Sequence, residues 1–232
     1  MRVLVTDFSG VYEAEGFLPW LREQEQPVIR LDFQELEGCH CYCDEGARQV
    51  IVDALKQGPL PRLRFIDSGD YHYMSQLLAL EQTEPFHLLL VDHHPDNQDA
   101  AFGGLLSCGG WVKSLQQEQP LLRSVLSIGP EGCPSELPEG WLDQRRGERL
   151  YVSVDKDVLE GRWARTDWSQ GTHTLAQLTE MLESVFTSGM EVVAVDICGE
   201  KSPEQGATGE DLRVNKETNI ALYKLIVKHL NE

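Results

Sequence analysis

Apolar residues follow two alternating rhythms along the chain. Short apolar runs bounded by polar residues or turn formers read as strands, at residues 2–6, 28–31, 63–66, 88–91, 124–128, 150–154 and 192–195. Between them apolar positions recur at helical spacing. Ala47, Val50, Ile51, Ala54 and Leu55 predict a helix over 45–56, opened by Asp44 as N-cap and closed by Gly58, Pro59 and Pro61. Further helices are expected up to about residue 80, over 111–117, over 174–186 and over 219–230, the last with Leu222, Leu225, Ile226 and Leu230 as its apolar stripe. Residues 103–110 read as a glycine-rich loop, 129–148 as a surface excursion and 201–214 as a polar loop. Strands alternating with helices predict an α/β fold: a three-layer αβα sandwich with a mostly parallel central sheet, one domain over 1–232.

In a parallel sheet the strands' carboxyl ends share one edge, where ligands bind. The apolar run Leu88-Leu89-Leu90-Val91 continues into Asp92-His93-His94-Pro95-Asp96. Side chains alternate along extended chain, so Asp92, His94 and Asp96 share one side and His93 points away. Three other strands end the same way, in Asp70 and His72, in Asp155 and Asp157, and in Asp196 and Glu200. Each of these has a plain structural explanation, such as a helix N-cap for Asp70. Their joint occurrence on one edge predicts a metal site. Oxygen-rich sets with a few imidazoles suit manganese or magnesium. Six ligands exceed one tetrahedral zinc, and bridging carboxylates would allow two ions about 3.5–4 Å apart.

Composition narrows the partners. The net charge of −18 disfavours nucleic acid and anionic membranes and suits cations. No apolar run approaches a membrane span, and the N-terminus turns polar too soon for a secretory signal, so a cytoplasmic protein is expected, with an oligomer possible. The six cysteines are then expected as free thiols. Cys39, Cys41 and Cys43 lack the usual two-residue gaps of zinc ligands and predict a packed segment leading into a helix.

These motifs resemble the arginase (ureohydrolase) superfamily. Its Asp-x-His-x-Asp is matched by Asp92, His94 and Asp96, and its Ser-x-Asp-x-Asp by Ser153, Asp155 and Asp157. Its Gly-Gly-Asp-His is approximated by Ser68-Gly69-Asp70-Tyr71-His72, with Tyr71 inserted. Its Asp-x-x-Glu-x-x-Pro is approximated by Asp196, Glu200 and Pro203, with one extra residue before the glutamate. Strings such as "GCHCYCDE", "LLSCGGWV" and "WSQGTHTL" are similar to a compact bacterial branch. The resemblance implies two manganese ions, one held by His72, Asp92, Asp96 and Asp155, the other by His94, Asp92, Asp155 and Asp157. It also implies hydrolysis of a guanidino or related C–N bond in a small cationic molecule or an arginine side chain. Asp96 would pass a proton to the leaving amine, Glu200 would read the guanidinium charge, and Ser107 would contact substrate.

Two other readings remain open on sequence alone. Asp92-His93-His94 also resembles the DHH manganese phosphoesterases, a reading that requires His93 in the site. A non-catalytic arginase-like protein that binds metal or a guanidine is the other.

Overall fold

The computed structural model describes residues 2–24, 26–100 and 104–230. Gly103, the first residue of the expected glycine-rich loop, lies outside the described residues. The chain runs β1 (Val3–Asp7), α1 (Val11–Ala14), α2 (Phe17–Glu23), β2 (Val28–Asp32), β3 (Tyr42–Cys43), α3 (Glu45–Leu55) and β4 (Leu63–Phe65). It continues through α4 (Met74–Ala79), β5 (Phe86–Val91), β6 (Leu106–Ser107), α5 (Trp111–Glu118) and β7 (Leu122–Ile128). It closes with β8 (Arg149–Asp155), α6 (Leu175–Thr187), β9 (Glu191–Cys198) and α7 (Gly209–Leu230).

Seven strands form one sheet in the order β2-β1-β4-β9-β8-β5-β7, and every pairing is parallel. The sheet is covered on both faces, as an all-parallel sheet requires. Alternation along the strands sorts the core into two layers. Val3, Val5, Leu89, Val91, Val152 and Val154 pack with α1, α2, α6 and α7. Leu4, Leu88, Leu90, Tyr151 and Ala194 pack with α3, α4 and α5. The predicted three-layer α/β sandwich is the observed architecture.

Local signals act where the sequence places them. Asp44 accepts from the Ala47 amide at 2.8 Å and caps α3. Thr174 and Gln177 form a reciprocal capping box at α6. Three features differ from expectation. The last helix, α7, begins at Gly209 and takes in the end of the polar loop expected over 201–214. Residues 11–23 form two short helices, each entered through a left-handed glycine, Gly10 and Gly16. Residues 42–43 and 106–107 pair as a small antiparallel ribbon, β3 with β6. Among the described residues no helix is long and apolar enough to cross a membrane.

Candidate metal centre

The central strands β4, β9, β8 and β5 are neighbours, so the segments leaving their carboxyl ends meet. Parity then chooses the side chains. Asp92 continues the phase of Leu88 and Leu90, and Asp155 that of Tyr151, so both emerge on the layer that carries α3, α4 and α5. His72 enters the same space from the turn Gly69–Tyr71 before α4. Its Nδ1 lies 3.0 Å from Asp96 Oδ2, 3.3 Å from Asp92 Oδ2 and 3.5 Å from Asp155 Oδ2. Beside it, His94 Nδ1 lies 2.7 Å from Asp157 Oδ2 and 3.7 Å from Asp92 Oδ1. Asp92 thus spans the two imidazoles, one oxygen towards each. All six residues line one cavity of about 300 Å³.

The donors are held in place from outside. Trp111 Nε1 donates to Asp96 Oδ2 at 2.6 Å. Asp155 Oδ1 accepts from the Asp157 amide at 2.9 Å, and Asp157 Oδ1 accepts from the His93 amide at 2.9 Å. His72 Nε2 meets Ser153 Oγ at 2.9 Å, which leaves Nδ1 for the cavity. His94 Nε2 meets Ser169 Oγ at 2.9 Å in the same way. Outer partners of this kind orient metal-ligating imidazoles.

The electrostatics call for cations. Burial, then the neighbouring carboxylates Asp157 and Asp92, push Asp155 up to about 8. Burial and Asp92 push Asp157 up to about 6. Hydrogen bonds to Asp157 and Asp92 hold His94 up at about 10. Asp92 Oδ2 is buried with no hydrogen-bond partner. A buried carboxylate oxygen without a donor is costly, and a divalent ion between the imidazoles and the carboxylates removes that cost. The donor set fits metal: residues among these six form two candidate groups, His72, Asp92 and Asp96, and Asp92, His94 and Asp157.

Glu200 is not brought to this cavity. It is fully buried on the other face of the sheet, where Lys156 Nζ donates to it and Asn219 Nδ2 donates at 2.8 Å. The cause is phase. Gly199 stands one residue past β9 with φ of 93°, and a Cβ there would collide with Asp155 Oδ1. The left-handed glycine interrupts the alternation that Asp196 and Cys198 follow, and Glu200 beyond it leaves the cavity side. The expectation that Glu200 reads substrate from within the site is corrected. The partner of Glu200 is the buried Lys156.

Other residues fall as follows. Ser107 lines the cavity, as do Cys41, Tyr42, Gln98, Cys108 and Trp168, which the strand-end pattern did not single out. They arrive on loops and on the β3–β6 ribbon, which carry no periodic signal. Asp196 lies within β9 and is held by Tyr151 and Arg64, away from the cavity. Asp70 accepts from Trp168 Nε1 at 3.0 Å and from Cys41 Sγ at 3.2 Å, and so ties the loops of the cavity mouth together. His93 does not line the cavity, and the phosphoesterase alternative loses the residue it requires. Cys39 and Cys43 are buried in the core while Cys41 faces the cavity, so the three do not converge on one zinc. All six cysteines are free.

No protein-family model matches the chain. A Thermotoga maritima protein described as uncharacterized is 25% identical over 228 residues, covering 94% of this chain and 88% of that protein. Among solved structures, a hypothetical agmatinase from Burkholderia thailandensis superposes with a TM-score of 0.66 at 15% identity, covering 100% of this chain and 87% of that one. Proclavaminate amidino hydrolase from Streptomyces clavuligerus gives 0.66 at 16% identity, covering 98% and 91%. Formimidoylglutamase from Bacillus subtilis gives 0.64 at 13% identity, covering 99% and 87%. At these identities the likeness establishes a shared arginase-like α/β fold.

Proposed function

We propose that the chain is a member of the arginase superfamily and a binuclear-metal amidinohydrolase, cleaving a non-peptide C–N bond in a guanidino or related amidine substrate. The observation that carries this reading is the pairing of His72 and His94 through Asp92, with Asp96, Asp155 and Asp157 around one cavity. Its fold is that of proteins named agmatinase, proclavaminate amidino hydrolase and formimidoylglutamase.

His72, Asp92, Asp96 and Asp155 would hold one divalent ion. His94, Asp92, Asp155 and Asp157 would hold the other, an oxygen-rich set for which manganese is the natural occupant. Bound together, such ions make a nucleophile of water near neutral pH and polarise the bond under attack. The remaining work belongs to the chain. Burial raises Asp96, while its hydrogen bonds with His72 and Trp111 oppose that rise. It can therefore take up a proton and deliver it to the departing nitrogen. Ser107 and Gln98 offer hydrogen bonds to a planar substrate, and the part-exposed indole of Trp168 offers a cation a π surface. Four aspartates balance two divalent ions, and Glu200 adds no charge inside the cavity. A small cation or a neutral amidine is therefore accommodated. A cavity of about 300 Å³ admits a small molecule or one arginine side chain rather than a polymer.

The test is release of urea or ammonia from a panel of guanidines and amidines by manganese-loaded protein. At least one compound is expected to turn over, with activity lost in His94→Ala. Full metal loading without product from any of them would overturn the amidinohydrolase reading and favour a binding protein.

A further inference from the structure

Cys198 is the last residue of β9 and lies in register with Asp155 on β8. Paired residues on neighbouring strands project to the same face, so its thiol enters the layer that holds the aspartates. It is fully buried, and its Sγ lies 3.1 Å from Asp155 Oδ2. One ligand atom each from His72, Asp155 and Cys198 lies within 4.8 Å of the others, a grouping of the same kind as the two sets around Asp92. Nothing in a manganese centre of carboxylates and imidazoles calls for a thiol here.

We infer that Cys198 is a ligand, binding through its thiolate the ion that His72 and Asp155 hold, so that this half of the centre takes a thiophilic ion such as zinc or ferrous iron. As the S–metal bond forms, the S–H bond breaks and its proton passes to solvent, leaving the oxidation state of sulfur and metal unchanged. Thiolates favour zinc and iron, whereas carboxylate sets favour manganese and magnesium. The His94 half has no sulfur among its donors, so the two halves differ in the ion they prefer. This inference rests on the metal-centre reading above.

The test is X-ray absorption on zinc-loaded protein, with metal content measured on the same sample. A sulfur shell at about 2.3 Å is expected beside nitrogen and oxygen at about 2.0–2.2 Å. It should vanish in Cys198→Ser and persist when Cys41 and Cys108, the thiols lining the cavity, are both changed to serine. Zinc bound at full content with only nitrogen and oxygen neighbours in the wild type would overturn the inference while leaving the metal centre standing. A sulfur shell that follows Cys41 and Cys108 would also overturn it. A wild-type protein that retains no ion would overturn the metal centre and this inference together. The wild-type spectrum and that of the Cys41 and Cys108 double variant decide the matter together even if Cys198→Ser fails to fold.

Discussion

Lys156 and Glu200 are both fully buried and pair beneath the sheet with Asn219, which also donates to Glu15 at 2.9 Å. Burying two charges is expensive, and losing one partner strands the other. Glu200→Gln is therefore expected to cost stability, about 3–5 kcal/mol by the usual range for broken buried pairs, read as a lower urea midpoint. Because Glu200 lies outside the cavity, the folded fraction should keep its metal and its KM. A variant of wild-type stability with a raised KM would return Glu200 to substrate binding. At the cavity itself, Asp155→Ala removes a donor that faces both His72 and the Asp157 amide. Loss of at least one ion per chain is expected by elemental analysis after dialysis.

At the scale of elements, strand phase explains what the sequence showed, and a break in it explains what the sequence hid. The run Leu88 to Val91 alternates in step with Asp92, so the site's face could be read from β5 alone. The end of β9 could not, because the left-handed Gly199 breaks the alternation just before the glutamate. Gly199 marks the spot. Its left-handed backbone suits glycine, and the same position has no room for a side chain, since a Cβ there would stand only 2.7 Å from the Lys156 amide nitrogen. Gly199→Ala is expected to push Asp155 out of line and weaken metal binding by at least about tenfold, the scale seen when ligand orientation is lost; calorimetric titration would measure it. Helix α3 was legible from its N-cap Asp44 and its apolar spacing, and α6 from its apolar spacing. The short helices α1 and α2 were not, since four and seven residues carry too little periodicity. Nor were the cavity walls from β3, β6 and the Trp168 loop, where chain segments distant in sequence meet only through the tertiary fold.

For the whole molecule, the acidic field and the buried carboxylates act in one direction. In the ion-free protein Asp155 and Asp157 are raised by burial to about 8 and about 6. The folded chain thus holds protons that the unfolded chain has released, and stability falls as pH rises from about 4 through about 8. His94, raised to about 10 by Asp157 and Asp92, stabilises fully below its unfolded value and is lost as pH passes about 10, the same sign. Divalent ions compete with these protons. The gap in Tm between metal-loaded and ion-free protein is therefore expected to widen from pH 5 to pH 8. At ion concentrations near 100 Kd it should reach roughly 5–10 °C, from about 2.7 kcal/mol of binding free energy. A gap that narrows with pH would show that the buried aspartates are not the ligands.

The central claim is that six residues on one sheet edge hold two ions. Anomalous diffraction at the manganese, iron and zinc edges, on metal-saturated crystals, tests it most directly. Two peaks about 3.5–4 Å apart are predicted, one against His72 and Asp96, the other against His94 and Asp157, with Asp92 and Asp155 touching both. A single peak, or peaks away from these side chains in metal-saturated crystals, would contradict it.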